Sequence, residues 1–442
     1  MNHNFPKVLL VCGFNQNTAN GITISNLFQK WPSEKIAVLE YSSNIQDIAV
    51  SNIEKYYCLG SRETTLVWPF RHFQKVRQSC HFNKYIKDKV QHEEVKNDII
   101  RTQSSIKRLL FKLKLNFLYI TGLIYKTRKY TISDVLDTWI QNFNPDIIYG
   151  TTEDLEKMNF LLILKNRYQK KLAIHTFDDW VHSGHRYHFL QRYWNKKMIT
   201  TFKKTLDKSD IRLTISDKMS NEYSQKYNLS FHAFHNPVDT NFWNADNFLK
   251  NSQKESIFTF IYAGKVNRDT IQPLQQFIRA IESLKNEGLN IAFSIYSPYD
   301  IKVIYEYLGQ NAKKYFKGTV EYEMLPVIFK RSHALLLPLA FNKDTINYIR
   351  LSMLTKATEY MISGTPIFLY TPDNVAVSEY LTSHKAAYKH ENSLSLSTSI
   401  KKFINDYTNA MKFASNAKKR AEQFHSIERV TANLQKVLNL NR

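Results

Sequence analysis

Two cations follow the end of an apolar, strand-like run in the second half of the chain. Residues 258–263 (FTFIYA) are followed by Gly264, then by Lys265 and Arg268. Because ligands of open α/β sheets bind beyond the carboxyl ends of the strands, both cations are expected at a functional edge. Fixed positive charge there suits a diphosphate, since it stabilises a negatively charged leaving group. A turn with two solvated cations is the alternative interpretation.

The segment 348–370 (YIRLSMLTKATEYMISGTPIFLY) carries the most specific pattern in the chain. Its helical part places Lys356 and Glu359 one turn apart, beside the expected strand-end edge. Gly364 and Pro366 then end the helix by ordinary C-capping chemistry. Capping does not account for the combination of lysine and glutamate, although a structural i,i+3 ion pair would.

Polar residues also follow two strands in the first half. Asn20, Gly21 and Ile22 open a helix, whose N-terminal N–H groups and dipole favour a phosphate, although an ordinary turn fits equally well. Asp178 and Asp179 follow the run 172–175, and their carboxylates could bind a metal, accept sugar hydroxyl groups or cap the next helix.

Four histidines, at 175, 182, 185 and 188, lie around the same strand end. They have neither an HExxH pattern nor cysteine partners, which zinc sites normally use. We therefore expect no metal, and a basic, substrate-facing helix as the use of this region.

Positive charge is concentrated along the chain. The 442 residues include 61 Lys+Arg and 39 Asp+Glu, a net charge of +22. Two windows, 101–130 and 183–206, contain no acid and combine cations with apolar or aromatic residues. Basic amphipathic helices bind anionic membranes, so 101–130 is a candidate for peripheral membrane contact. Packing on its own domain with solvated lysines is the alternative.

Composition excludes several classes of protein. An apolar content of 43% excludes a disordered chain, and three cysteines without CxxC exclude a disulfide scaffold or a Cys-rich zinc module. No apolar run reaches the ~18–20 residues of a spanning helix, and the run at 7–14 is too short for a secretory signal. We therefore expect a cytoplasmic location.

Apolar runs alternate with helical periodicity throughout the chain, which predicts an α/β protein with doubly wound parallel sheets. Eight runs are predicted strands: 8–12, 146–149, 172–175, 211–215, 258–263, 291–296, 334–339 and 366–370. The predicted domains are 1–238, with a basic helical insertion at about 61–144, and 257–424. Residues 239–256 form the predicted linker, and 425–442 a helix expected to pack toward the first domain.

The 348–370 motif resembles the signature helix of the GT-B glycosyltransferases of glycosyltransferase family 4, in particular their bacterial capsule and polysaccharide branch. Further motifs fall in the family's order, and the resemblance covers nearly the whole chain except 61–144. They are NGI at 20–22, DDW at 178–180, ISDKM at 215–219, NPVD at 236–239 and AGK at 263–265.

The resemblance implies a GT-B fold, with two Rossmann-like domains facing a cleft. The first domain would bind a glycan or lipid-linked acceptor, and the second a nucleotide-sugar donor. Transfer would retain the sugar's configuration and need neither a metal nor another cofactor. The setting would be synthesis of a bacterial surface polysaccharide, in the cytoplasm or peripherally on the inner face of the membrane.

Residue roles follow from the same resemblance. Glu359 matches the glutamate that binds the donor ribose, and Lys265 the cation that contacts the diphosphate, with Arg268 a second cation. Leu351 stands where many members have a sugar-contacting glutamate, so that role is not carried over. The other candidates are Gly264, Arg350, Ser352, Lys356, Asn20, Gly21 and Ile22 for the donor, His175 and Asp179 to orient or deprotonate the acceptor hydroxyl, and Asp178, Trp180 and Arg186 for acceptor binding.

Two other functions remain open at the level of sequence. A GT-B epimerase or hydrolase would share the donor site and would turn over without an acceptor. A nucleic-acid-binding protein would fit the pI of about 9.6, but the sequence contains no known RNA- or DNA-binding module. We therefore expect no nucleic acid as a partner.

Overall fold

The computed structural model describes residues 5–14, 18–40, 53–67, 78–82, 116–118, 120–121, 128–183, 190–244 and 257–440. The chain forms two compact units. Unit 1 is Met1–Phe234 with Thr431–Arg442, and unit 2 is His235–Val430. The chain therefore enters unit 2 ahead of the predicted linker. Residues 239–244 of that linker belong to unit 2, and 245–256 lie outside the described residues.

Unit 1 contains an eight-stranded sheet among its described residues, in the order β10-β9-β8-β7-β1-β2-β3-β5. All neighbours are parallel except β5, which is antiparallel to β3. Strands β4 and β6 form a separate antiparallel pair. The strands are β1 (Val8–Val11), β2 (Ile36–Glu40), β3 (Lys55–Cys58), β4 (Thr64–Leu66), β5 (Cys80–Phe82), β6 (Arg128–Tyr130), β7 (Ile147–Thr151), β8 (Lys171–Thr176), β9 (Ile211–Thr214) and β10 (His232–Ala233).

Side-chain caps start several helices of unit 1. Ser133, Asp154 and Ser216 each accept a backbone N–H three residues later, which satisfies a donor that the first helical turn leaves open. The described helices are α1 (Ala19–Leu27), α2 (Asp134–Phe143), α3 (Leu155–Tyr168), α4 (Trp180–Ser183), α5 (Gln191–Lys208) and α6 (Asp217–Tyr227).

Unit 2 contains a wholly parallel sheet, six-stranded among the described residues, in the order β13-β12-β11-β14-β15-β16. Its central strands are apolar and buried, as strands covered on both faces require. The strands are β11 (Phe258–Ala263), β12 (Ile291–Tyr296), β13 (Phe316–Gly318), β14 (Ala334–Pro338), β15 (Ile367–Tyr370) and β16 (Tyr388–Lys389).

The helices of unit 2 alternate with these strands, and the last helix continues into unit 1 from residue 431 onward. Gly364 ends α12 at φ 70°, in the left-handed region that favours glycine. The described helices are α7 (Thr240–Asn244), α8 (Ile271–Asn286), α9 (Ile301–Leu308), α10 (Leu325–Arg331), α11 (Lys343–Ile349), α12 (Thr355–Ser363), α13 (Ala376–Ser383), α14 (Leu396–Asn405), α15 (Tyr407–Phe424) and α16 (Ile427–Asn439).

The predicted α/β fold is confirmed, and each of the eight predicted runs is a strand. The strands missed at the level of sequence include β10, β13 and β16, which have two or three residues and are too short to show periodicity. Within 61–144, the described residues form β4, β5, β6 and α2, with helical residues at 116–118 and 120–121, so this region contains strands that the sequence did not predict.

Candidate functional site

Gly264 follows the carboxyl end of β11. A larger residue at this position would displace the ammonium group of Lys356. Gly264 has φ +150°, and its N–H donates to the carbonyl of Tyr296 at 2.9 Å. A Cβ built on Gly264 would lie 2.3 Å from the Lys356 Nζ. The absent side chain is therefore what allows the Lys356 ammonium to lie against the end of β11.

Lys356 is held in this position by Tyr262. Its Nζ donates to the Tyr262 hydroxyl at 3.1 Å and lies 4.3 Å from the centroid of the same ring. The Tyr262 hydroxyl in turn donates to the Lys265 carbonyl at 2.6 Å. The side chain of Lys356 and the backbone of Lys265 thus meet at one strand end.

Glu359 lies one turn further along α12, and its carboxylate has an unusual environment. The Tyr322 hydroxyl donates to its Oε1 at 3.2 Å. Burial raises the pKa of Glu359 to about 7, against the opposing influence of the Tyr322 hydrogen bond and the Lys356 charge. A carboxylate that titrates near neutrality beside a cation is typical of a binding or catalytic site.

Helix α12 is fixed to β11 and to the start of unit 2. The Ala263 N–H donates to the Tyr360 hydroxyl at 3.1 Å, and the Asn236 Nδ2 donates to the Thr355 carbonyl at 3.2 Å. These contacts orient the helix face that carries Lys356 and Glu359. All four residues belong to motifs noted in the sequence: Asn236 to NPVD, Ala263 to AGK, and Thr355 and Tyr360 to the segment 348–370.

The remaining donor candidates in unit 2 are more dispersed. Lys265 and Arg268 are exposed, and the Arg268 guanidinium lies 4.0 Å from the Asp344 carboxylate. Ser352 is buried, and Arg350 is half-buried after the end of α11. Leu351 is completely buried, so the residue that stands in place of the usual glutamate is part of the core.

A cavity of about 440 Å³, lined by both charged and apolar residues, lies in unit 1, beyond the ends of β1 and β7. The Lys157 ammonium pairs with the Glu153 carboxylate at 3.0 Å, and the Asn20 Nδ2 donates to Glu153 at 2.8 Å. Burial alone would raise the pKa of Glu153, but the Lys157 charge and these hydrogen bonds lower it below its usual value. The lining residues are Val11, Cys12, Gly13, Thr18, Asn20, Gly21, Leu39, Glu40, Leu59, Arg128, Tyr130, Glu153, Asp154, Lys157 and Phe160.

The N–H groups of the predicted phosphate loop donate hydrogen bonds to Thr18 at the start of α1. The Gly21 N–H donates to the Thr18 hydroxyl at 3.1 Å, and the Ile22 N–H donates to the Thr18 carbonyl at 2.9 Å. Asn20 and Gly21 line the cavity, whereas Ile22 does not. The capping bonds occupy both N–H groups, so the geometry does not support phosphate binding by Gly21 and Ile22.

His175 is completely buried in β8, where its Nδ1 lies 2.6 Å from the Tyr149 hydroxyl. Burial lowers the pKa of His175 to about 3. A side chain without exposure cannot reach an acceptor hydroxyl, so the position of His175 does not support the predicted role in orienting or deprotonating it.

Asp179 is also buried, with 3% exposure. Its carboxylate accepts from the Tyr223 hydroxyl at 2.7 Å and contacts the His182 Nδ1, while its carbonyl accepts the His182 N–H at the start of α4. These contacts hold the Asp179 carboxylate against buried side chains, and none of them is the side-chain-to-backbone bond of a helix cap. Asp178 and Trp180 are half-buried beside it.

Arg186, the third predicted acceptor residue, lies outside the described residues, as do His185 and His188. Within the part of the chain that the structure describes, no three His, Cys, Asp or Glu side chains cluster as a metal site would require.

Four side chains of these sites were not predicted. Glu153 and Lys157 follow β7, a strand that the sequence did predict, so their place beyond a strand end was an available signal. Tyr262 and Tyr322 gave no such signal, because Tyr322 comes from a separate turn and Tyr262 looks like an ordinary strand residue.

No protein-family model and no curated protein matches the chain. Solved structures match it over nearly its whole length. Sucrose-phosphate synthase from Thermosynechococcus elongatus is 10% identical with a TM-score of 0.61, covering 98% of both chains. Anabaena Alr3699/HepE, solved with UDP and glucose, is 12% identical with a TM-score of 0.59, covering 98% of this chain and 100% of that one.

A third match is an α,α-trehalose-phosphate synthase (UDP-forming) from Burkholderia vietnamiensis, 8% identical with a TM-score of 0.58 and 98% coverage of both chains. These structural neighbours are GT-B glycosyltransferases. At such low identity the likeness shows the fold alone, and the fold of this chain is GT-B.

Proposed function

We propose that this protein is a glycosyltransferase, which moves a sugar from a nucleotide-sugar donor to a glycan or lipid-linked acceptor. The observation that carries the proposal is the presence of Lys356 and Glu359 one turn apart on a helix fixed to the Gly264 strand end. Neighbours with the same fold were solved with UDP and glucose or named as UDP-forming, which supports a nucleoside diphosphate as the departing group.

The donor is proposed to bind in unit 2. The Glu359 carboxylate would accept hydrogen bonds from the vicinal hydroxyl groups of the ribose, a geometry that suits a carboxylate with two oxygens. Lys356, whose ammonium lies at the end of β11, and Lys265, which follows that strand, would contact the diphosphate, with Arg268 as a further cation. When the bond between the sugar and the diphosphate breaks, these cations would stabilise the negative charge of the leaving group.

The acceptor is proposed to bind in the cavity of unit 1. Glu153 is paired with Lys157, the Glu40 carboxylate accepts from the Tyr56 hydroxyl, and the Asp154 carboxylate accepts from the Lys157 N–H, so the cavity suits a neutral polyhydroxyl ligand. The Tyr130 and Phe160 rings stack at 5.1 Å and line the cavity, offering an apolar surface for the carbon face of a sugar. Asp178 and Trp180 remain further candidates for acceptor contact.

The finer points depend on the resemblance of the 348–370 motif. They are transfer with retention, independence of metal and other cofactors, a role in bacterial surface polysaccharide synthesis, and a cytoplasmic location. Peripheral membrane contact through 101–130 also remains a proposal, since most of that segment lies outside the described residues. Among the described helices, none is long and apolar enough to cross a bilayer.

Thermal unfolding with a panel of nucleoside diphosphates tests the donor site. A ligand that binds only the folded state raises its apparent stability, so one nucleotide should raise the Tm by several degrees. Glu359→Ala should lose this shift and abolish turnover of the matching nucleotide-sugar, while keeping the fold. Glu306→Ala, an exposed carboxylate on α9, is the matched control and should respond like wild type. If no nucleotide raises the Tm, the proposal is wrong.

A further inference from the structure

The outer face of α5 combines cations with exposed apolar side chains. Trp194, Met198 and Phe202 point inward and are buried, which leaves the opposite face to solvent. We call this outer face the α5 face. Its exposed residues are Arg192, Tyr193, Lys196, Ile199, Thr200, Lys203, Lys204, Asp207 and Lys208.

The apolar side chains of this face are unusually accessible. Tyr193 is 54% exposed and Ile199 38%, and Leu190, directly before the helix, is 41% exposed. The Lys197 Nζ lies 5.8 Å from the centroid of the Tyr193 ring and 5.6 Å from that of the Trp194 ring. A further cation is therefore placed next to the exposed tyrosine.

The described helical residues 116–118 and 120–121 lie next to the first turn of α5. The Trp194 Nε1 donates to the Thr121 carbonyl at 2.7 Å, so these residues contact this turn. Leu118 is buried, whereas Phe117 and Ile120, three positions apart, are each 57% exposed. Two large apolar side chains therefore project to solvent from an element that is packed against α5.

Charge selects the kind of partner. Within α5, every residue of which is described, there are six cations and a single acid, Asp207. Such a face attracts an anionic surface, and exposed aliphatic and aromatic groups insert into the boundary between lipid headgroups and acyl chains. A nucleic acid would bind the cations and stack on the aromatic rings, but its bases do not stack on the aliphatic side chains of Ile120, Ile199 and Leu190.

We propose that the α5 face, together with Phe117 and Ile120, is a docking surface for an anionic lipid bilayer. The cations bind the headgroups, and the apolar side chains enter the interface. This surface differs from the donor and acceptor sites, and its binding does not require glycosyl transfer.

Vesicle flotation of the full chain tests the proposal, with phosphatidylcholine vesicles alone or containing about 30% phosphatidylglycerol. We expect binding to the anionic vesicles and little to the neutral ones, with a fall in binding as salt is raised. The double variant Lys196→Glu/Lys203→Glu should lower partitioning at least roughly tenfold, because each cation near the surface contributes separately.

Helix α15 offers a matched control. It has the same length as α5, 18 residues, and exposes Lys412 and Lys419 at the same spacing of seven. Lys412→Glu/Lys419→Glu changes the net charge equally, so it should retain most of the binding. If both double variants lose binding alike, net charge rather than the α5 face is responsible, and the proposal is wrong.

A second variant tests the apolar part. Tyr193→Ser/Ile199→Ser keeps every charge and should weaken binding to anionic vesicles severalfold, whereas Met411→Ser on α15 should not. Circular dichroism melting verifies the fold of each variant. Equal binding to neutral and anionic vesicles would overturn the proposal. It would also be overturned if Lys196→Glu/Lys203→Glu lost binding to a single-stranded oligonucleotide but bound vesicles like wild type.

Discussion

The cavity of unit 1 and the strand end of unit 2 each contain a lysine and a glutamate that are close in sequence, but the environments of these pairs differ. In unit 1, Lys157 and Glu153 form an ion pair at 3.0 Å, and the pKa of Glu153 is lowered. In unit 2, the Lys356 ammonium lies on the Tyr262 ring, and the pKa of Glu359 is raised to about 7. The opposite charges of Glu153 and Lys157 neutralise each other, which suits a neutral ligand. The Lys356 ammonium instead contacts the neutral ring of Tyr262, which suits the binding of an anion.

The largest expected effect is that of Glu359→Gln. The substitution weakens the hydrogen bonds to the donor hydroxyl groups, and we expect kcat/KM for the nucleotide-sugar to fall about 100-fold. Steady-state kinetics with the nucleotide identified by thermal shift measure this. An unchanged kcat/KM would contradict the assignment of the donor site to unit 2.

The same variant should be more stable than wild type at pH 8. Because the pKa of Glu359 is raised in the folded state, its contribution is most favourable below the ordinary value of 4.5 and is lost as pH rises through about 7. Glutamine does not titrate, so the gain in Tm over wild type should shrink from pH 8 to pH 5. A gain that is independent of pH would contradict the raised pKa.

Gly264→Ala should have an intermediate effect on the donor site. The new Cβ would displace the Lys356 Nζ, and alanine would be strained at φ +150°. We expect nucleotide affinity, measured by calorimetry, to fall about tenfold, because one phosphate contact is weakened.

Gly309→Ala is the control for backbone strain. Gly309 has φ +86°, and nothing lies within 4 Å of a Cβ built there. This variant should lose stability, at about 1 kcal/mol, without losing nucleotide affinity. Equal losses of affinity in the two variants would show that strain, rather than the position of Lys356, governs binding.

Lys157→Met should affect stability and leave nucleotide binding unchanged. It removes the ion pair from the partly buried Glu153 carboxylate, at a cost of about 1–3 kcal/mol in the free energy of unfolding. Since the pKa of Glu153 is lowered, the pair stabilises above pH 4.5 and is lost as pH falls through the lower folded value, so the variant should lose this acid dependence. Denaturant unfolding across pH measures both.

Lys401→Met is the matched control for an exposed pair. Lys401 and Glu287 contact each other with 45% and 44% of their side chains exposed, so the variant should cost less in the free energy of unfolding than Lys157→Met. If Lys401→Met lowered the free energy of unfolding as much as Lys157→Met, the partial burial of the Glu153–Lys157 pair would not increase its contribution to stability.

The sequence by itself determined the central strands and the residues at their ends. Runs of apolar residues are local signals, and they located β1, β7, β8, β9, β11, β12, β14 and β15, with Gly264, Lys265 and Glu359 beside them. The short outer strands and the strands within 61–144 were missed, because two or three residues do not show a period and pairing with a neighbour stabilises them. The sequence also missed β2 and β3, which have five and four residues and continue the sheet from β1.

Only the tertiary structure decided which side chains meet and which are buried. It brought Lys356 against Gly264 and Tyr322 to Glu359, and it buried His175, the last residue of a predicted strand. The physical reason is that exposure and proximity depend on the packing of elements far apart in the chain, whereas periodicity reports only on neighbours along it. The sequence therefore identified the edge at which chemistry is expected, and packing selected the side chains that can take part in it.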